Sequence, residues 1–489
     1  MNAPFHDSVP ETAVPTGRRF DVLGLPVVGS FLRRRWARLA LQLPVLLVAL
    51  VMIAHAFFGP DLAPKNLASL LTWVHFRGLV VLVLLLAGNL FCMACPFMLP
   101  RELARRWVSP RWEWPRRLRN KGPAIILFVG VLFVYEWLDL WADPWATGWL
   151  IVGYFAAAFA VDLLFKRASF CKYVCPVGQF NFLASTASPL EVAVKDPDAC
   201  AACRTKDCLA GRRAGPGGPL VQRGCELDLF LPRKVGNLDC TFCLDCVQAC
   251  PHDNIGILAR VPAEELAVPG LRSGAGNPDR RTDWTLLTVV FVFGAVLNAF
   301  AMTSPVHALG QAVARATGLT AEWPVLGLLF AFALVVEPLV LLGGAAWLTR
   351  VALGGGGLFE TVNRFARSLV PLGFGVWLAH YGFHFFTGAL TIVPVAQNAA
   401  NEVAGRPILG APLWQWGGLS PGMALPLELG FLGLGFLGTL LVGWRMARQA
   451  APARPARVFA PWAMVGLILF ATACWTLLQP MDMRGTFMS

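Results

Sequence analysis

Eight cysteines between residues 200 and 250 carry the sharpest chemical signal in the chain. Cys240-x2-Cys243-x2-Cys246-x3-Cys250-Pro251 puts three thiols on one tight loop and a fourth before a proline that turns the chain away. This is the bacterial ferredoxin spacing, in which three cysteines hold one [4Fe–4S] cluster and the fourth reaches another. Thiolates are the soft ligands such clusters need. Structural zinc is the competing reading, but zinc more often takes two separated pairs. An irregular half comes first: Cys200, Cys203 and Cys208, then Cys225, which is followed by Glu226 instead of proline. By the ferredoxin crossover, Cys200, Cys203, Cys208 and Cys250 hold one cluster; Cys240, Cys243, Cys246 and Cys225 hold the other.

Four more cysteines form two pairs, Cys92 with Cys95 and Cys171 with Cys175, each followed by a proline at the end of an apolar stretch. Three readings compete. The pairs converge into one four-thiolate metal or third-cluster site; they act as redox thiols; or they are separate buried cysteines packing as small apolar residues. Cys474, alone in the last apolar stretch, reads as packing.

His55, His75, His380 and His384 lie in or beside apolar stretches, with Arg77 and Glu337. Ionisable groups at membrane depth are functional candidates. His380 and His384 are four apart and share a helix face. These residues suit a quinone site, or haem b held between His380 or His384 and His55 or His75, or plain pairing inside a bundle. Met481 and Met483 offer soft sulfur that suits Cu(I).

The elements that must position these groups follow from composition. Of 489 residues, 56% are hydrophobic and 14% charged, against about 25% charged in ordinary soluble domains. Mean hydropathy is +0.59. These values exclude a soluble, disordered or disulfide-scaffold protein. Apolar stretches of spanning length fall near 36–58, 67–91, 124–142, 146–165, 284–303, 323–347, 368–390, 427–446 and 459–478, predicting about nine transmembrane helices. The expected fold is therefore mainly α: a polytopic helical membrane protein with an inserted α+β two-cluster ferredoxin-like domain. It divides into a lead (1–35), a four-helix block (36–165), a hydrophilic ferredoxin-type domain (166–283) and a five-helix block (284–489).

Thirty-six of the 41 Lys and Arg fall in segments that alternating helices put on one side. The positive-inside rule makes that side cytoplasmic, with the C-terminus outside a bacterial inner membrane. The net charge of +12 thus tracks helix ends and gives no nucleic-acid surface. Twelve of the 13 cysteines lie on the same side, where thiols stay reduced and metal ligation outranks disulfides.

With FCMACP (91–96), FCKYVCPVGQFNF (170–182) and the two-cluster run, the chain resembles the membrane-bound polyferredoxins of the NapH/NosR/CcoG type. These are found with periplasmic nitrate reduction, nitrous-oxide reduction and cytochrome oxidase assembly. The resemblance covers about residues 36–260. It departs at the first motif, where two residues separate the cysteines and the group usually has three. The five C-terminal helices lie outside it.

These observations together lead to an electron carrier or oxidoreductase subunit, such as a quinol dehydrogenase, with no hydrolase or transferase machinery. Two [4Fe–4S] clusters would communicate with the quinone pool or with a periplasmic or cytoplasmic redox protein. The alternative is a biogenesis factor that supplies electrons, for example by reducing copper, for maturation of a respiratory enzyme.

Overall fold

The structure is a computed structural model that describes residues 19–481 apart from 216 and 275. All nine apolar stretches are helical. Among the described residues, seven helices are long and apolar enough to cross a membrane. They are α1 (Ala37–Phe58), α2 (Leu67–Ala87), α4 (Pro144–Leu164), α6 (Thr282–Phe300), α7 (Glu322–Leu353), α9 (Pro421–Ala450) and α10 (Pro455–Leu477). The shorter α3 (Gly122–Trp137) is apolar throughout. Leu358–Gly388, which contains α8 (Val370–Gly388), bends by 57° into Ile392–Ala404.

Local chemistry sets the ends. The α3 helix stops earlier than the apolar run because Asp139 takes a left-handed φ of 44°. Pro144 then opens α4 at its first position, where a missing N–H costs nothing. The Asp143 carboxylate caps it by accepting the Ala146 N–H at 2.9 Å. The α2 helix ends at Gly88 (φ 64°), so Cys92 sits on a separate turn, Leu90–Met93.

The α8 helix is the core of the bundle and is buried from Val370 to Gly382. Trp377 donates its indole N–H to the Phe291 carbonyl of α6 at 2.8 Å. Small residues let α8 approach α9: a Cβ at Gly435 would lie 2.7 Å from the Pro371 carbonyl oxygen. The α1 helix instead turns Leu39, Leu43, Leu47 and Leu50 outward. A contiguous apolar face of this kind suits lipid.

The cysteine stretch 200–250 lies between two antiparallel strands, β1 (Leu190–Val194) and β4 (Ile255–Ala259), registered Leu190 to Ala259 and Val194 to Ile255. A short hairpin, β2 (Arg212–Arg213) with β3 (Leu220–Gln222), stands inside that stretch. The N-terminal lead completes the sheet edge. The Ala259 N–H donates to the Phe20 carbonyl at 2.9 Å, and the Ile257 N–H donates to the Asp21 carboxylate at 3.1 Å.

The basic helix ends meet this unit on one face of the molecule. Arg38 pairs with Asp245 at 3.4 Å, Lys121 with Asp239 at 2.5 Å and Arg367 with Asp279 at 2.6 Å. Residues 176–184, expected with the hydrophilic domain, instead form helix α5 (Pro176–Ala184), whose Phe180, Leu183 and Ala184 join the bundle core. Their apolarity outweighs their sequence neighbourhood.

Candidate metal centres

The loop from Cys240 to Cys250 winds by alternating handedness. Asp239, Phe242 and Leu244 take left-handed φ values of 62°, 54° and 61°. Each costs a non-glycine residue roughly 1–2 kcal/mol. Neighbours hold the conformation. Phe242 is 1% exposed and lies over Gly88, where a Cβ would come within 2.6 Å of its ring. Asn89 donates its side-chain amide to the Cys240 carbonyl at 2.8 Å. The membrane helix that leads to Cys92 is therefore the seat of the ferredoxin loop.

This winding brings Cys225, Cys240, Cys243 and Cys246 to one small pocket with Leu229 and Leu244 in its wall. Four thiols around an apolar pocket fit an iron–sulfur cluster, whose charge the thiolates share. Burial pushes the Cys225 thiol up to about 11 and those of Cys243 and Cys246 well above normal. Deprotonation of these thiols therefore accompanies metal binding.

Cys200, Cys203, Cys208 and Cys250 form a second set in which the thiolates would repel one another. Asn254 ties its two ends together: its side-chain amide donates to Cys200 Sγ and its N–H to Cys250 Sγ, both at 3.4 Å. Burial pushes Cys208 up to about 11. Cys203 is lowered, first by the Lys206 N–H, and its contact with Thr205 is open to solvent.

Cys92 lies within electrostatic reach of Cys95 and Cys175, and Cys171 within reach of Cys175 and Cys95. Pro96 and Pro176 each open a helix, which explains the shared cysteine–proline pair. Cys175 sits at the helix N-cap, where its sulfur accepts the Gly178 N–H at 3.0 Å. The Tyr154 hydroxyl lies 2.9 Å from the same sulfur, and the Asn181 amide donates to Cys92 Sγ at 3.2 Å. Burial pushes Cys95 up to about 12 and Cys175 up to about 11. Among the described residues, no three His, Cys, Asp or Glu side chains close on a single metal ion.

Buried cations lie near these thiols. Arg101, 0% exposed, pairs with Asp162 at 3.0 Å and Glu226 at 2.8 Å. Arg38 lies within electrostatic reach of both Cys95 and Cys243. Positive charge there stabilises anionic centres.

Deeper in the bundle, the His380 and His384 rings are 5.0 Å apart, and the Nε2 of each is buried without a hydrogen-bond partner. The Arg77 guanidinium lies 4.2 Å from the Tyr135 ring centroid and 5.0 Å from that of Tyr381. His75 has its two nitrogens 3.4 and 3.2 Å from the Leu70 and Ala389 carbonyls. His55 accepts the Leu67 N–H at 3.1 Å. Glu337 is half-buried beside a π-helical turn, Phe332–Val336. Met481 pairs with Thr303; Met483 lies outside the described residues. Asn89, Tyr154 and Asn181, which reach the thiols or their loop, were not singled out in the sequence. Asparagine and tyrosine near a cysteine motif were the available signal.

Residues 69–115 and 147–185 match the 4Fe-4S binding domain family Fer4_5, a range that contains both cysteine–proline motifs. The chain is 29% identical to the ferredoxin-type protein NapH of Escherichia coli over 222 residues, covering 41% of this chain and 74% of that protein. It is 24% identical to the methylamine utilization ferredoxin-type protein MauN of Paracoccus denitrificans, covering 36% of this chain and 66% of that protein. Against the regulatory protein NosR of Pseudomonas aeruginosa the identity is 28%, covering 45% of this chain and 34% of NosR. No solved structure matches the chain.

Proposed function

We propose that this chain, similar over part of its length to the membrane polyferredoxins of the NapH/NosR type, carries electrons between a cytoplasmic two-cluster domain and the quinone pool. Cys200, Cys203, Cys208 and Cys250 hold one [4Fe–4S] cluster; Cys225, Cys240, Cys243 and Cys246 hold the other. Cys92, Cys95, Cys171 and Cys175 hold a third. Nine segments cross the membrane, and the basic face with the ferredoxin unit is cytoplasmic.

The observation that carries this reading is the seat of the Cys240–Cys246 loop on Gly88 and Asn89, three residues before Cys92. It joins a ferredoxin loop to a membrane helix through a buried amide. When bound, iron–sulfur clusters pass single electrons. Around them the chain's own residues hold geometry and charge. Asn254 joins Cys200 to Cys250, Asn89 joins the loop to the membrane helix, and Arg38 and Arg101 stabilise anionic centres. At the other end, His380 and His384 present unpartnered nitrogens that can accept the protons of a quinol.

The test is anaerobic addition of quinol to the protein in lipid nanodiscs, followed by electron paramagnetic resonance. Cluster reduction, or reoxidation of reduced clusters by quinone, is the expected result. Clusters that respond to dithionite but to neither quinol nor quinone would refute the quinone link.

A further inference from the structure

The first cysteine half is irregular because it carries extra residues, and those residues build something. Segment 201–224 contains five basic residues and one acidic residue, Asp207. Arg223 pairs with Glu102 and Glu226. The other four stay on the surface side: Arg204, Lys206 and Arg213 are exposed and Arg212 is half-buried. The β2–β3 hairpin spans the middle of this segment and leaves Leu220 50% and Val221 43% exposed. Apolar side chains with a basic rim are the composition of a protein-docking patch. Cys203, the residue just before this basic flank, contacts Thr205 in the open, whereas Cys240 and Cys246 are buried.

We infer that the hairpin and its basic flank are the docking surface for a small acidic one-electron carrier protein, which exchanges electrons at the centre held by Cys203. This presupposes the clusters proposed above. In the reducing direction, one electron leaves the carrier's reduced iron–sulfur centre and lowers the cluster here from the 2+ to the 1+ state. No bond forms or breaks and no proton moves. Electrostatic complementarity sets orientation and encounter rate. Position explains why an insertion is tolerated in a ligand motif: it lies beside the more exposed centre, the one a soluble partner can approach.

The experiment uses the full chain in neutral-lipid nanodiscs and a reduced acidic plant-type ferredoxin as probe. Binding by isothermal titration calorimetry should weaken roughly tenfold or more as salt rises from about 50 to about 200 mM. The R212E/R213E variant should weaken it severalfold at low salt. Iron content and the dithionite-reduced resonance spectrum should not change. The L220S/V221S variant should weaken binding and leave the salt slope intact. Equal affinity of the charge-reversal variant and the wild type would overturn the assignment. So would slowing of hydrogen exchange in 204–224 by phosphatidylglycerol in the disc but not by ferredoxin, which would assign the patch to lipid. A wild-type chain that binds ferredoxin normally but lacks iron would refute the cluster reading and leave the docking surface standing.

Discussion

Asn89→Ala removes the side chain that joins the membrane bundle to the ferredoxin loop. Asn89 is 0% exposed, and its amide reaches the Cys240 carbonyl at 2.8 Å. It also bonds the Cys92 thiol. Alanine leaves the Cys240 carbonyl desolvated without its donor, which costs about 1–3 kcal/mol. The cost falls on a segment already holding left-handed Asp239, Phe242 and Leu244. Opening of that segment should therefore rise roughly 5- to 150-fold. Hydrogen-exchange mass spectrometry on the peptide covering residues 238–250 reads this directly, with α8 as the internal reference. The expected result is faster exchange in 238–250 and unchanged exchange in α8. Unchanged protection in 238–250 would refute the idea that Asn89 is the seat of the loop. Equal loss in α8 would show that Asn89 supports the bundle as a whole and not this contact.

Three further outcomes are expected. Asn181→Leu removes the donor to Cys92 Sγ, and loss of about one hydrogen bond's worth of stabilisation lowers the potential of that centre by roughly 50 mV in a redox titration. Glu191 is buried, which would raise its carboxyl, but Lys234, Arg260 and Arg19 hold it below the usual range. Its stabilising effect is thus complete above the unfolded value of about 4.3 and disappears as pH falls through the lower folded value. Glu191→Gln should therefore speed hydrogen exchange in β1 and β4 at pH 7, and the difference from wild type should vanish in acid. His380→Leu with His384→Leu should slow quinol-driven cluster reduction at least tenfold, with dithionite reduction unaffected in stopped-flow absorbance.

Much of the architecture was legible because it depends on patterns that survive folding. Lipid demands long apolar runs, so each predicted stretch is helical. Basic residues follow helix ends, so Arg38, Lys121 and Arg367 all meet the ferredoxin unit. The thiols of Cys225, Cys240, Cys243 and Cys246 line one pocket. What was not legible depends on backbone winding and on groups far apart in sequence. No spacing rule announces that Phe242 adopts a left-handed φ or that it packs on Gly88. The π-helical turn Phe170–Val174 that carries Cys171 leaves no periodic trace in five residues. Asn181 looked like an ordinary polar residue, but the fold turns it onto Cys92 Sγ, 89 positions away.

The central claim is that three cysteine sets hold three cubanes. Iron and acid-labile sulfide on anaerobically purified protein, measured beside its Cys171→Ser/Cys175→Ser variant, tests it most directly. The account predicts about twelve irons and twelve sulfides per chain, falling to about eight of each in the variant, which keeps the resonance spectrum of two coupled clusters. Zinc without acid-labile sulfide would contradict it outright, and about eight irons in both proteins would remove the third centre.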